Sequence, residues 1–198
     1  MATSGHRAPS GRARKAIAAV PRRGFLPRDV RALAGQDAAL PIGDGATCSQ
    51  PSTVAYMLAL LDARPGHRVL DVGSGSGWTS ALLSVLTRPG GVVHAVEIVP
   101  RLVEYGRSRL VAAGFAEVAV HDAGDVLGLP EHAPYDRILV SAAAARVPVE
   151  LCEQLAVGGR LVGPVGHEMH LVTRMPAGFV DRVVPGEFVF VPLVDPEA

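Results

Sequence analysis

Cysteine is almost missing from this chain of 198 residues, which holds only Cys48 and Cys152. Two cysteines without metal-site spacing make neither a disulfide framework nor a zinc module, so a reducing compartment, the cytoplasm, is expected. Long apolar runs are missing too. None approaches the ~18 residues needed to cross a bilayer, and no charged start leads into an apolar stretch of the secretory kind. Neither a membrane partner nor a secretory signal is expected. There is no internal repeat and no Gly-Lys-Ser/Thr for a phosphate loop. What is present suits a globular domain: 48% hydrophobic and 19% charged residues can bury a core, which excludes disorder and collagen-like repeats. The length fits one domain with at most a short appendage.

Formal net charge is zero but unevenly spread. Residues 1–31 carry eight basic side chains (Arg7, Arg12, Arg14, Lys15, Arg22, Arg23, Arg28, Arg31) against Asp29 alone, so a segment of +7 precedes a body of −7. A basic arm can bind nucleic acid or serve as a transit peptide. No aromatic residue interleaves these arginines before Phe25, which favours a solvated terminus and no nucleic-acid partner. Residues 1–15 are expected as a flexible basic arm and residues 16–198 as a single domain. No long exposed apolar face is evident, and a monomer is expected.

Along the body, a short helix over Ala16–Val20 ends at Pro21. Residues 41–51, with two glycines and two prolines, read as a loop, and a helix follows on Val54, Met57, Leu58 and Leu61. Then strand and helix alternate. Apolar runs at 69–72, 92–96, 118–120, 138–140 and from 160 predict strands; 79–86, 100–113 and 149–155 predict helices. Near-continuous apolar strands between helices indicate a parallel sheet covered on both faces. At the end, 171–173 and 188–191 read as strands with no helix between them, which fits an antiparallel edge. The expected fold is therefore α/β, a doubly wound, mostly parallel sheet with antiparallel C-terminal edge strands.

The strongest local motif is Val69-Leu70-Asp71-Val72-Gly73-Ser74-Gly75-Ser76-Gly77-Trp78. Glycines after the first strand let the backbone turn tightly and approach a ligand closely. Glu97 ends the next strand, twenty residues beyond Gly77, where a carboxylate can accept ribose hydroxyls. A dinucleotide fingerprint would need glycine at position 78, which is Trp78. The spacing of Gly73, Gly75 and Gly77 instead resembles that of S-adenosylmethionine-dependent methyltransferases.

Longer stretches carry a narrower resemblance, to the protein-L-isoaspartate O-methyltransferases. They are Val20-Pro21-Arg22 with Phe25-Leu26-Pro27, the loop Gly45-Ala46-Thr47-Cys48-Ser49-Gln50-Pro51, and Leu127-Gly128-Leu129-Pro130-Glu131-His132-Ala133-Pro134-Tyr135-Asp136. Ala142-Ala143-Ala144, the run 154–162 and Pro164-Val165-Gly166 complete them. The resemblance implies a Rossmann-like methyltransferase sheet, S-adenosyl-L-methionine as cofactor, no metal, and methyl transfer to the carboxylate of an isoaspartyl residue in a protein or peptide. The same chemistry on an aspartyl residue of one dedicated peptide is the alternative.

Under that resemblance Ser49 is the catalytic candidate, its hydroxyl holding the substrate carboxylate; capping the helix after Pro51 is its other reading. Ala46, Thr47, Cys48 and Ser49 would line the cofactor side of the loop, together with Gly73, Ser74, Gly75 and Gly77. Asp71 orients the methionine portion or satisfies turn amides. Glu97 and Ile98 meet the ribose, and Asp122 and Ala123 the adenine, with Asp125 competing for that contact. Cys48 lacks a supporting His or Asn and reads as an apolar filler rather than a nucleophile. His132 and Asp136 belong to a structural turn and a strand entry. His167 and His170 flank Glu168 without the His-Glu-x-x-His pattern, and read as surface histidines. Trp78 and Met169 read as packing residues. Departures from the family pattern at Ala46, Cys48, Trp78 and 167–170, with a short insertion before Leu127, cluster at the substrate mouth. A nicotinamide oxidoreductase and a binding module without catalysis are the competing classes.

Overall fold

The computed structural model describes residues 11–194. Helix α1 (Gly11–Ala19) begins five residues before the expected start, because Ala13 and Ala16 pack inward and Arg12 donates to the Leu86 carbonyl oxygen at 2.9 Å. Of the expected arm, residues 1–10 lie outside the described residues.

Seven strands form one sheet in the order β5-β4-β3-β6-β7-β8-β9: β3 (Arg68–Val72), β4 (Val92–Glu97), β5 (Ala119–Asp122), β6 (Tyr135–Val140), β7 (Leu155–Val165), β8 (Glu168–Met175) and β9 (Gly178–Val184). The first five pair in parallel, and β8 and β9 run antiparallel at the edge. Side-chain alternation assigns the two faces. Val69, Val93, Ala95, Leu139 and Val162 join the core beneath α1, α2 (Pro51–Leu61), α3 (Trp78–Thr87) and α4 (Pro100–Ala112). Leu70, Val72, Val96, Ile138, Val140 and Leu161 join the opposite core, covered by residues 127–135 and the short helix α5 (Val149–Glu153). Leu70 and Ile138 are register partners with no exposed surface, so truncating either to alanine costs about 2–5 kcal/mol.

The chain reverses its direction of travel across the sheet between β3 and β6. In an open parallel sheet this switch point leaves a crevice outside the strand carboxyl ends. Gly73, Glu97, Ala123 and Ser141, each at or just past a strand end, are gathered around it.

Two expectations change. Residues 41–51 are not a plain loop: β1 (Leu40–Gly43) and β2 (Ala46–Cys48) pair as an antiparallel hairpin. Asp44 and Gly45 both hold positive φ, at 50° and 74°, the backbone of a type I′ turn that matches strand twist. Residues 188–191 are not a strand either. Phe188 leaves the sheet to stack on Tyr56 at 5.9 Å, and the edge strand is β9 instead.

Candidate functional site

A cavity of about 400 Å³ opens at the switch point, within the range of small-molecule sites. Its floor is Val72, Gly73, Gly75 and Val96. One wall is the hairpin, through Asp44, Gly45, Ala46 and Thr47; another is Ala123 with Val126, Leu127 and Gly128; Val191–Val194 close the remaining side. Ser141 and Ala142, just past β6, complete the lining.

Glu97 is the best-held polar group in the cavity. Its Oε2 accepts from the Gly75 amide at 2.8 Å, and its Oε1 accepts from the Ile98 and Val99 amides at 2.9 Å each. A carboxylate has roughly four acceptor positions. Three are spent on orientation, leaving about one for a ligand hydroxyl.

The glycine loop sits close to α4. A Cβ on Gly106 would lie 2.8 Å from the Gly75 carbonyl oxygen, and one on Gly77 would lie 2.9 Å from Leu110 Cγ. The tight helix contact expected of a third glycine is thus made at Gly77 and Gly106. Position 78 faces elsewhere: Trp78 is buried, and its indole donates to the Val20 carbonyl oxygen at 2.9 Å.

Asp71 has no exposed surface and lines no part of the cavity. Its Oδ2 accepts from the Thr79 and Ser80 hydroxyls in the first turn of α3, at 2.8 and 2.6 Å, while Oδ1 is buried without a partner among the described residues. Burial pushes its carboxyl up to about 6. Asp71 therefore satisfies hydroxyls of the following helix, not turn amides.

Ser49 lies in a small cleft beside the cavity. Thr47, Gly73, Gly75 and Ser141 border both spaces, and Cys48, Ser74 and Trp78 border the cleft alone. The helix-cap reading of Ser49 fails, because Asp37 takes that place: its carboxylate accepts from the Ser52 amide at 2.8 Å and the Gln50 side chain at 3.0 Å. Among the described residues no partner engages the Ser49 hydroxyl. The Ser49 carbonyl accepts from Arg22 at 3.1 Å. Cys48 is buried and its thiol is pushed up to about 11 by that burial, so it has no nucleophilic role at neutral pH.

Ile98 and Ala123 line the cavity, whereas Asp122 and Asp125 are both exposed and outside it. The Ala123 amide donates to the Glu97 carbonyl oxygen at 2.9 Å. His167 is exposed as expected, but His170 is not a surface residue: it is buried, with Nδ1 2.9 Å from the Asp181 carboxylate. Met169 is core, and Asp136 accepts from the Arg68 amide at 2.8 Å at the entry of β6.

Three contributors had no strong local signal. Ser141 follows an apolar strand, and only the switch-point rule singles it out. Val191–Val194 reach the cavity through bonds on either side of Ala143, Ala143 N to Val191 O and Leu193 N to Ala143 O, both 2.8 Å. Gln154, buried under the wall, accepts from the Leu129 amide at 2.9 Å and donates to the Leu127 carbonyl oxygen at 2.8 Å, which pins the turn at Gly128.

These residues fit an adenosyl sulfonium. Positive φ at Gly73 and Gly75 (74° and 54°) leaves backbone where a side chain would intrude, and a Cβ on Gly75 would press Ile42 at 3.0 Å. Glu97 is an oriented carboxylate that could hold a ribose hydroxyl, and apolar side chains line the flanks.

Comparison with known proteins agrees. The family model "Protein-L-isoaspartate(D-aspartate) O-methyltransferase" matches residues 4–198. A protein-L-isoaspartate O-methyltransferase of Aeropyrum pernix is 48% identical over 192 residues, covering 93% of this chain and 73% of that protein. One of Methanopyrus kandleri is 45% identical, covering 95% and 85%. A solved structure titled protein-L-isoaspartate O-methyltransferase superposes with a TM-score of 0.86 at 27% identity, covering 95% of this chain and 62% of that longer one. A Plasmodium falciparum structure solved with S-adenosyl-L-homocysteine shares the fold at TM-score 0.83 and 21% identity. The chain belongs to the protein-L-isoaspartate(D-aspartate) O-methyltransferase family.

Proposed function

We propose that the chain methylates the carboxylate of isoaspartyl residues in proteins and peptides, with Ser49 holding the acceptor and Glu97 anchoring the donor. The carrying observation is the contact between two spaces: a cavity governed by an oriented carboxylate and a cleft holding a serine hydroxyl, which share Thr47, Gly73, Gly75 and Ser141. When bound, S-adenosylmethionine supplies a sulfonium methyl group that is electrophilic without further activation.

The acceptor needs no base either, since a carboxylate is ionised at neutral pH. Positioning is then the main task left to the chain, and it is worth roughly 7–11 kcal/mol when reacting atoms are held about 3 Å apart. The Ser49 hydroxyl donates to one carboxylate oxygen, leaving the other free to attack. Arg22 fixes the Ser49 backbone by donating to its carbonyl oxygen. The hairpin and Val191–Val194 wall the cavity from water on two sides.

A pair of otherwise identical peptides, one isoaspartyl and one aspartyl, assayed with radiolabelled donor tests the reading. Label is expected on the isoaspartyl peptide alone. Ser49→Ala is expected to lower kcat by at least about tenfold, with affinity for S-adenosylhomocysteine unchanged. Equal labelling of both peptides, or none, sinks the assignment.

A further inference from the structure

Away from the cavity, three imidazoles from three separate elements converge. His94 is in the middle of β4, His121 near the end of β5, and His132 in the short turn Pro130–His132. One ring nitrogen of each lies within 4.8 Å of the others. His94 Nδ1 and His121 Nε2 are 3.1 Å apart, and the His94 and His132 rings stack at 4.3 Å between centroids. None of the three lines the cavity or the cleft of Ser49.

We propose that His94, His121 and His132 form a binding site for a divalent first-row transition cation of the zinc type, held by three imidazole nitrogens. With metal–nitrogen bonds of about 2.0–2.1 Å, a tetrahedral ion sets its ligand nitrogens about 3.3 Å apart. The His94–His121 separation already approximates one edge of that polyhedron. His132 needs to move inward by no more than about 1.5 Å, on a three-residue turn. His121 and His132 are half-buried, so the fourth position opens toward water.

The surroundings suit the ion on balance. Arg68 and Arg107 face the cluster and oppose a cation, but each is already committed: Arg68 donates to the His132 carbonyl oxygen, and Arg107 pairs with Glu104 and the Val120 carbonyl oxygen. Glu131 and Asp122 face it with the opposite sign. Imidazole nitrogens suit zinc, copper and nickel better than magnesium or calcium.

Such an ion is structural. It staples the turn after Leu127–Leu129 to the sheet, and Leu127 and Gly128 are cavity wall. Its occupancy therefore raises thermal stability and slows amide exchange across 127–132.

Calorimetric titration of the full chain, carrying no polyhistidine tag, with zinc chloride tests this. One equivalent is expected. His121→Gln and His132→Gln are each expected to weaken binding by more than about 100-fold, since losing even outer-shell partners costs 10–100-fold. His167→Gln, on the exposed loop, leaves binding unchanged. The Co2+ spectrum of the unaltered protein is a second reading that needs no variant: strong tetrahedral bands support the site, and the pale spectrum of the hydrated ion overturns it. Zinc binding that is non-stoichiometric, or that persists in both His121→Gln and His132→Gln, also overturns it.

Discussion

Arg22 and Ser49, 27 positions apart, are joined by a hydrogen bond of 3.1 Å from the guanidinium Nη1 to the serine carbonyl oxygen. The same guanidinium donates to the carbonyls of Ala34, Gln36 and Ala38, at 3.2, 2.8 and 2.7 Å, and lies over the Trp78 ring. One buried cation thus gathers the segment 34–49, which has no regular structure until the hairpin. Arg22→Ala is expected to lower stability by about 2–5 kcal/mol, because buried carbonyls lose their donors, and to raise KM for the peptide. Arg22→Lys restores the charge but not the planar fork, and recovers little. Denaturant unfolding and steady-state kinetics measure both; an unchanged midpoint in Arg22→Ala contradicts the hub.

Glu97→Gln keeps the size of the side chain but replaces one carboxylate oxygen with a donor. The Gly75 amide then loses its acceptor, or the Ile98 and Val99 amides lose theirs. A rise of at least about tenfold in Kd for S-adenosylhomocysteine is expected, equivalent to about 1.4 kcal/mol. Unchanged affinity means that the carboxylate is not the anchor.

Asp71 makes stability depend on pH in the unusual direction. Its carboxyl stands at about 6 in the fold against 3.8 unfolded, so between those values the folded chain binds the extra proton. Its contribution is most favourable below about pH 4, declines as pH rises, and has gone by about pH 6. Asp71→Asn does not titrate. The stability of the variant relative to the parent, measured without ligand, therefore climbs from pH 4 to pH 6 by up to about 3 kcal/mol, at 1.36 kcal/mol per pKa unit. A flat difference across that window rules out a buried ionised carboxyl.

Both thiols are buried, and that burial pushes Cys48 up to about 11 and Cys152 up to about 12. Neither is expected to react with a disulfide reagent at pH 8 until the protein is unfolded, when both react. Cys48→Ala is expected to retain turnover within about threefold. Fast stoichiometric labelling of the native protein with loss of activity contradicts this.

Strands buried on both faces are legible because they are apolar at nearly every position, as at Ile138–Val140 and at Val69–Val72, where Asp71 is the one exception. The glycine loop and Glu97 are legible because backbone geometry forces their spacing. Strand β9 is not: Phe179, Val180, Val183 and Val184 come in adjacent pairs rather than alternating with polar residues, although six of the seven residues are exposed. Conversely, Phe188-Val189-Phe190-Val191 has the composition of a strand, yet it stacks the Phe188 ring on Tyr56 and spends its backbone on His167 and Ala143. The hairpin was readable in Asp44-Gly45, a pair that favours two successive positive φ angles. Arg22, Gln154 and the three converging imidazoles were not: Ser49 is 27 residues from Arg22 and Leu127 is 27 from Gln154, the imidazoles are spread over 38 positions, and only the fold brings them together.

Val191–Val194 form one side of the cavity but belong to no strand, and main-chain bonds to Ala143 tie them to the end of β6. A wall tied by so few bonds is the part of the cavity that deforms at least cost. Variation along that stretch therefore retunes the outline of the space while the sheet beneath it keeps its shape.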